Sequence, residues 1–257
     1  MISRLIYPLS LREKICFRLY KFFPNIPDKD ISLEFNKSVK LDLLKTDVGH
    51  KSIIFSGFTN LETTLPIAKL AKKGGLMIDV GANFGYFSCL WAGESSNNKV
   101  IAFEASPGNV SSLTNNVNKN GLAERVTINP IAVGKSKGTL QFNLGGQSDQ
   151  TGWGGLTIDD DNKNITVNVD TLDNYMDGNN ETINVLKIDT EGADTWVLYG
   201  AEKLLKEKRI QHIFFECNPV RMALLKIEQN ESIDFLRKLD YTVDIMSPME
   251  LYAYPNK

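Results

Sequence analysis

The sequence predicts an α/β protein built on a doubly wound β-sheet with helices on both faces. Short apolar runs of strand length recur along the chain, and segments with helical spacing of apolar residues lie between them. Turn-forming pairs such as Gly74-Gly75 and Asn120-Gly121 separate the two kinds of segment. Strands that alternate with helices pair in parallel through right-handed crossovers, and such a sheet is buried on both faces.

An N-terminal extension over residues 1–35 is predicted to precede a main domain over residues 36–257. Within residues 10–23, apolar side chains at nearly helical spacing predict an amphipathic helix with basic residues beside it. This helix packs against the main domain or a second subunit, or it contacts a membrane surface or a partner protein. Pro24 and Pro27 then indicate a linker.

The next segment predicts a β-hairpin over residues 38–58, with its turn near residues 47–50. A helix is expected to begin near Thr64, with Pro66 in its first turn, and to end at Gly74. The extension is therefore expected to be helical with an added hairpin.

The pattern then becomes regular. Apolar runs predict strands at residues 76–80, 100–103, 126–128, 184–188, 212–215, 241–246 and 250–254. Helical spacing predicts helices around residues 84–91, 106–120, 196–205 and 233–239, with Ser106 as an N-cap and Pro107 in the first turn.

Residues 134–170 break this alternation. Five glycines lie among Gln, Ser and Asp residues there, and Trp153 stands between two of them. We expect a long loop or an irregular hairpin, and long loops in compact domains are usually functional or mobile. Trp153 would stack on a sugar ring or fill an ordinary packing position.

The turn after the strand at 76–80 carries the chemistry. Its sequence runs from Asp79 to Gly85 as D-V-G-A-N-F-G, and glycines at 81 and 85 allow a sharp turn and a close approach to a ligand. Glu104 ends the next strand, where a carboxylate can accept hydrogen bonds from both hydroxyls of a ribose. Ligands of doubly wound sheets bind at this edge.

Two nucleoside cofactors are compatible with a glycine turn and a ribose-binding acid. The spacing is G-x-N-x-G rather than the G-x-G-x-x-G of NAD sites, and Asp79 would repel a pyrophosphate at the helix N-terminus. S-adenosylmethionine (SAM) carries an ammonium and a sulfonium group instead. The charge of the turn therefore favours SAM.

Five segments in order resemble the FkbM-type methyltransferases. They are IDVGANFGYFS, KVIAFEASPGN, IAVG near residue 132, TLDNY at 171–175, and LKIDTEGADTWVLYGAEKLL at 186–205. The resemblance implies a class I SAM-dependent fold with a mostly parallel seven-stranded sheet whose last strand is antiparallel. It also implies O-methylation, often of sugars or polyketide-like metabolites. Two positions depart from the family pattern: Ala105 where proline is usual, and Asp194 where glutamate is usual.

The resemblance also assigns residues to a site. The methionine part of SAM would contact Asp79, Gly81, Asn83 and Gly85, its ribose Glu104, and its adenine Ala105, Ser106 and Ala132.

Asp189 and Glu191 follow the strand at 184–188, next to the expected methyl group. Two carboxylates at i and i+2 of an extended segment face one side, and their repulsion raises one pKa, which makes a base for a hydroxyl. The alternative is that they cap the next helix and pair with Lys187. Glu216, which ends the strand at 212–215, either contacts the acceptor or forms an edge salt bridge.

Composition excludes several other classes of protein. Lys and Arg total 29 against 31 Asp and Glu, a net charge of −2, which lacks the basic excess of dedicated nucleic-acid-binding proteins. Cys16, Cys89 and Cys217 lie far apart, so neither a zinc site nor a disulfide framework is expected, and no other cluster has metal-ligand spacing.

The expected location is the cytoplasm. No apolar run approaches the roughly 18 residues of a membrane span, and residues 1–23 lack the apolar core of a signal peptide. Two alternatives to a methyltransferase stay open: an NAD-dependent oxidoreductase on a similar fold, and a non-catalytic SAM-binding interaction protein.

Overall fold

The computed structural model describes residues 2–19, 28–144, 152, 154–157 and 164–256. The strands are β1 (Ile31–Ser32), β2 (Lys40–Leu41), β3 (Gly75–Val80), β4 (Asn98–Phe103), β5 (Val126–Asn129), β6 (Ala132–Val133), β7 (Gly138–Asn143), β8 (Gly155–Thr157), β9 (Ile165–Asp170), β10 (Ile183–Ile188), β11 (Ile213–Glu216), β12 (Tyr241–Ile245) and β13 (Glu250–Pro255). The helices are α1 (Leu9–Leu19), α2 (Val48–Ser56), α3 (Leu61–Ala71), α4 (Tyr86–Glu94), α5 (Pro107–Lys119), α6 (Leu172–Tyr175), α7 (Asp194–Tyr199), α8 (Glu202–Lys206), α9 (Pro219–Leu224) and α10 (Glu231–Lys238), with a 3-10 turn at Ile2–Leu5.

Seven strands form the central sheet, in the order β12-β13-β11-β10-β3-β4-β5. Strands β3, β4, β5, β10 and β11 pair in parallel, whereas β13 runs antiparallel to both of its neighbours. The chain thus forms a doubly wound, mostly parallel seven-stranded sheet whose last strand is antiparallel. The fold class predicted from the sequence is therefore confirmed.

Side chains of the central strands alternate between two hydrophobic clusters, one on each face of the sheet. In β3, Leu76 and Ile78 belong to one cluster and Met77 to the other. The first face is covered by α7, α8 and α10, and the second by α2 to α5. This two-sided burial explains why the strands read as continuous apolar runs rather than as alternating ones.

The predicted hairpin over residues 38–58 is wrong in most of its length. Residues 48–56 form α2 instead, because the Asp47 carboxylate accepts the His50 amide at 3.0 Å and caps the helix, and Gly57 ends it in a left-handed conformation. The actual pairing is short, between β1 and β2. The division at residue 35 stays a prediction.

The segment 134–170 is more regular than a loop. Together with residues 132–133 it forms a second sheet of four short strands, in the order β6-β9-β7-β8. Phe142, Leu156, Val167 and Val169 of this sheet join the first hydrophobic cluster, so it packs against one face of the central sheet. Of the two expectations, a long loop is wrong for the described part of the segment, whereas a hairpin is confirmed in part, because the consecutive strands β7 and β8 pair antiparallel.

Within the described ranges, no helix combines the length and the apolar character needed to cross a lipid bilayer. Cys16, Cys89 and Cys217 are free and buried.

Candidate active site

The turn between β3 and α4 lies at the carboxyl edge of the central sheet. Gly81 has φ +77°, and a Cβ atom there would stand 1.9 Å from the Asp189 carbonyl oxygen at the end of β10. The amides of Gly81 and Ala82 both donate to the Phe103 carbonyl of β4, at 2.9 and 3.0 Å. Only glycine allows the turn to pass this close to β10 while it stays bonded to β4.

Glu104 connects this turn to the loop that follows β4. Its Oε2 accepts the Asn83 amide at 2.8 Å, and its Oε1 accepts the Ser106 amide at 2.8 Å. Burial raises the pKa of Glu104, while these two amides act in the opposite direction. The carboxylate therefore fixes the two loops relative to each other.

A cleft opens between these loops at the carboxyl edge of the sheet. Six residues that the sequence singles out line it: Gly81, Asn83, Glu104, Ala105, Ala132 and Asp189. Five others lie outside its lining: Glu191 and Glu216, which are described below, and three residues of the cofactor set. Gly85 packs against α5, where a Cβ would stand 2.5 Å from Leu113 Cδ1; Ser106 acts through its amide; Asp79 is buried beneath the turn.

The sequence reasoning missed several residues of the same cleft. They are Asn109 of α5, Ile131 before β6, Phe142 of β7, Leu156 of β8 and Thr190 after β10. Phe142 and Leu156 give the cleft an apolar wall from the second sheet. The alternation in the segment T-L-Q-F-N at residues 139–143 is a strand signal that would have placed Phe142 on the buried face.

A buried charge cluster lies below the turn. Asp79 on β3 stands directly opposite Lys187 on β10, and Lys187 Nζ lies 2.9 Å from Asp189 Oδ2. Asp79 Oδ2 accepts the Ser88 hydroxyl at 2.6 Å. Burial raises the pKa of Asp79, and the Lys187 ammonium opposes that shift. The pairing of Asp189 with Lys187 confirms one half of the alternative drawn from the sequence, whereas the other half, capping of the next helix, is wrong because α7 begins after Ala193 without a side-chain cap.

The sequence predicts that Asp189 and Glu191 face the same side of an extended strand. This prediction is wrong. Strand β10 ends at Ile188, and Glu191 has φ +55° in the turn that follows. Glu191 Oε2 lies 3.5 Å from Arg221 Nε and lines a neighbouring cavity between β8 and α9. Burial, with repulsion from Asp189, raises the pKa of Glu191 to about 7.

Asp194 has a structural role that the sequence did not reveal. Its Oδ1 accepts the Thr190 amide at 3.0 Å, and its Oδ2 accepts the Glu216 amide at 2.8 Å. The carboxylate therefore joins the turn after β10 to the end of β11. Burial raises its pKa to about 6. The shorter aspartate at this departure from the family pattern makes these bonds.

Glu216 lies at the end of β11, directly opposite Glu250 of β13. Burial raises the pKa of Glu216 to about 8, and the carboxylates of Asp189, Asp194 and Glu191 add to the shift. No edge salt bridge forms at Glu216 with any described residue. The structure therefore brings Glu216 close to Asp189, which lines the cleft, whereas Glu216 itself does not.

Two buried oxygen atoms at the turn lack hydrogen-bond partners among the described residues: Asp79 Oδ1 and Asn83 Oδ1. Buried acceptors without partners are costly, so they indicate where a ligand donates hydrogen bonds. Both are acceptors, which suits a ligand with an ammonium group and not a phosphate.

The remaining sequence candidate, Trp153, and the two histidines are placed as follows. Trp153 lies outside the described residues. His50 is buried and accepts the Leu44 amide at 2.8 Å, and His212 bonds to the Tyr252 hydroxyl at 2.6 Å, so both have structural roles. The described residues include no cluster of His, Cys, Asp and Glu suited to a metal ion.

Comparison with known proteins gives one family. The model described as the methyltransferase FkbM domain matches residues 79–243, from Asp79 in β3 to Val243 in β12. No curated protein matches the chain.

Several solved structures are similar to the chain at low sequence identity. A methyltransferase FkbM from Methylobacillus flagellatus is 14% identical with a TM-score of 0.47; the alignment covers 95% of this chain and 59% of that one. A SAM-dependent O-methyltransferase from Thermotoga maritima is 16% identical, with 78% and 66% covered and a TM-score of 0.45. A methyltransferase from Podospora anserina, solved with S-adenosylhomocysteine (SAH) bound, is 10% identical, with 75% and 79% covered and a TM-score of 0.44.

Proposed function

Because the chain belongs to the FkbM methyltransferase family, we propose that it is a SAM-dependent O-methyltransferase. The proposed acceptor is a hydroxyl group of a saccharide or another small hydroxylated molecule, and not a nucleic acid. The chain spans 59% of the Methylobacillus flagellatus protein, so its acceptor and partners are proposed from its own residues.

One observation carries the cofactor assignment. The cleft joins Glu104, a carboxylate fixed at the end of β4, to a turn whose unpartnered buried atoms, Asp79 Oδ1 and Asn83 Oδ1, are both acceptors. A nucleoside with a cationic amino-acid tail matches both ends, whereas a pyrophosphate would meet the Asp79 carboxylate. This set of hydrogen-bond acceptors therefore fits SAM better than NAD.

The residues divide among the parts of the donor. Glu104 would bind the ribose hydroxyls through lone pairs not used by the two amides. Ala105, Ala132 and the Ser106 backbone would lie along the adenine, facing the apolar wall of Phe142 and Leu156. Asn83 would bind the amino-acid end and Asp79, buried beneath the turn, would hold a negative charge near its ammonium group, while Gly81 and Gly85 give the turn its shape.

SAM supplies, when bound, a methyl group on a sulfonium that an oxygen atom can attack in line. The protein contributes mainly by orientation, which is worth up to roughly 7–11 kcal/mol in well-aligned cases. Asp189 lines the cleft and is held by Lys187, so it would anchor the acceptor beside the methyl group. Glu191, paired with Arg221, supports the turn that carries Asp189.

A binding experiment followed by a transfer assay tests the proposal. SAM and SAH should raise the melting temperature and give micromolar-range calorimetric binding, and NAD should do neither. A screen of saccharides, nucleotide sugars and small hydroxylated metabolites with a labelled methyl donor should then yield a product in which the methyl is on oxygen. Stabilisation by NAD alone would overturn the proposal. Binding of SAM without transfer to any acceptor would favour a non-catalytic SAM-binding protein.

A further inference from the structure

Three carboxylates lie in one row across neighbouring strands at the edge of the cleft. Strands β10 and β11 pair Lys187 with Phe214, so the residues two positions further along each chain, Asp189 and Glu216, lie at the same level. The Asp189 amide donates to the Val80 carbonyl at 3.0 Å, which extends the ladder to this level. Glu216 in turn faces Glu250. Adjacent strands are about 4.8 Å apart, so the row is tightly spaced.

Glu216 differs from the other carboxylates around it in its hydrogen bonding. Its own carboxylate has no hydrogen-bond or ion-pair partner in the part of the chain that the structure describes. Each neighbour has one: Asp189 pairs with Lys187, Glu191 with Arg221, Asp194 with the Thr190 and Glu216 amides, and Glu250 with Asn60 and Thr63. Glu216 is therefore the carboxylate of this cluster in which both oxygens are without a partner among the described residues.

The surroundings of Glu216 also make it a stronger base than an ordinary glutamate. It is half-buried, and four carboxylates act on it: Asp189, Glu191, Asp194 and Glu250, while the Lys187 ammonium is held by Asp189 on the neighbouring strand. Burial, together with repulsion from these carboxylates, raises the pKa of Glu216 to about 8. A base works best when its pKa lies near the operating pH.

We propose that Glu216 accepts the proton of the acceptor hydroxyl during methyl transfer, while Asp189 anchors the acceptor. This inference rests on the proposed function. The acceptor oxygen forms a bond to the methyl carbon, the carbon–sulfur bond breaks with its electron pair left on sulfur, and the hydroxyl proton moves to a Glu216 oxygen and later to water. Glu216 must first be ionised. A sulfonium near Asp189 favours that form, so donor binding would release the Glu216 proton to solvent.

Carbon-13 NMR of glutamate carboxyl groups tests the first half of the inference. In the free protein, one resonance should titrate near pH 8 and be absent from Glu216→Gln, whereas the surface variant Glu202→Gln should retain it. SAM should lower this pKa by about 1 unit or more because of its sulfonium charge. SAH, whose sulfur is uncharged, should lower it by clearly less. An ordinary glutamate pKa, or equal shifts with SAM and SAH, would overturn the inference alone. Absence of binding by both ligands would overturn the proposed function as well.

Kinetics with an acceptor from the transfer screen test the second half. Glu216→Gln should lower kcat by roughly 10²–10⁴-fold and leave the SAM Kd within about threefold. The wild-type kcat should rise with pH to a plateau, and Glu216→Gln should lose that rise. Asp189→Asn should instead act mainly on the acceptor KM. Wild-type turnover by Glu216→Gln would show that another group takes the proton.

Discussion

Lys187 and Asp79 lie directly opposite each other on β10 and β3, and the same ammonium group lies 2.9 Å from Asp189 Oδ2. Lys187 is 5% exposed and Asp79 1% exposed, so the charges depend on one another rather than on water. The Lys187 Nζ also lies 4.9 Å from the centre of the Phe87 ring. One cation thus supports both the turn after β3 and the carboxylate at the end of β10.

Replacing Lys187 with methionine should strongly destabilise the fold. The substitution keeps most of the side-chain volume but leaves two carboxylates without their cation, and breaking a buried pair costs about 3–5 kcal/mol. Urea unfolding followed by circular dichroism measures the change. The matched control is Lys206→Met, whose exposed pair with Glu202 is worth about 0.3–0.5 kcal/mol. Equal losses in the two variants would show that the charge of Lys187 is not needed.

Alanine at position 81 should separate β3 from β10. Gly81 combines a left-handed conformation with a Cβ position 1.9 Å from the Asp189 carbonyl oxygen, so we expect a loss of more than about 2 kcal/mol. Gly108→Ala is the control, because it lies inside α5 with open space around its Cβ position, and it should be neutral or stabilising by up to about 1 kcal/mol. Thermal unfolding distinguishes them. A Gly81→Ala protein as stable as Gly108→Ala contradicts the close approach.

Glutamine at position 104 should weaken SAM binding. The Glu104 carboxylate accepts the Asn83 and Ser106 amides, and a glutamine would place an N–H donor against one of them. Charged hydrogen bonds are worth about 1.5–3 kcal/mol, so the SAM Kd should rise by roughly 10–100-fold. Calorimetry at a temperature where circular dichroism shows a folded protein measures this. Glu124→Gln, on the surface, should leave the Kd unchanged; an unchanged Kd in Glu104→Gln would remove Glu104 from the site.

The central sheet could be predicted because each of its strands is a buried apolar run bounded by turn residues. The hairpin prediction failed at residues 48–56 because the apolar run from Ile53 to Phe55 suits a strand as well as a helix. The N-cap at Asp47 favours the helix. The second sheet was missed because its strands are short and carry polar residues on one face, as the exposed Thr166 and Asn168 of β9 show. Its packing is decided by tertiary contacts.

The site was predictable where position along a strand determines chemistry. Gly81 and Glu104 could be placed because both directly follow parallel strands whose carboxyl ends meet. Phe142 and Leu156 could not, because they reach the cleft from a separate sheet. The predicted geometry of Glu191 was wrong because the residue lies in a left-handed turn. The next residue, Gly192, packs closely against Arg221, a contact that the local sequence does not reveal.

Asparagine at position 189 should reduce transfer more than donor binding. Asp189 lines the cleft, and the asparagine keeps its size while losing the charge that would hold an acceptor hydroxyl. We expect kcat/KM for the acceptor to fall by at least about tenfold, with the SAM Kd within about threefold. Initial-rate kinetics and calorimetry measure the two quantities. The surface variant Asp177→Asn is the control; a larger effect on SAM Kd than on kcat/KM would place Asp189 on the donor.

Stability should fall as the pH rises from about 5 to 8. Glu216 has its pKa raised to about 8 and Glu191 to about 7, against roughly 4.3 for an unfolded glutamate, so in this window the folded protein holds more protons than the unfolded chain. The stabilisation is complete below the unfolded pKa and is lost as the pH passes through the folded values. A variant that cannot ionise at one of these two positions should therefore show a weaker dependence of folding stability on pH.

Glu216→Gln isolates that contribution, because glutamine stays neutral at every pH. The variant and the wild type should have similar melting temperatures at pH 5, and the variant should be the more stable of the two at pH 8.5, where wild-type Glu216 is ionised beside Asp189 and Glu250. Glu202→Gln should track the wild type at both values. If the difference between Glu216→Gln and the wild type stayed constant with pH, the carboxyl of Glu216 would already be ionised at pH 5.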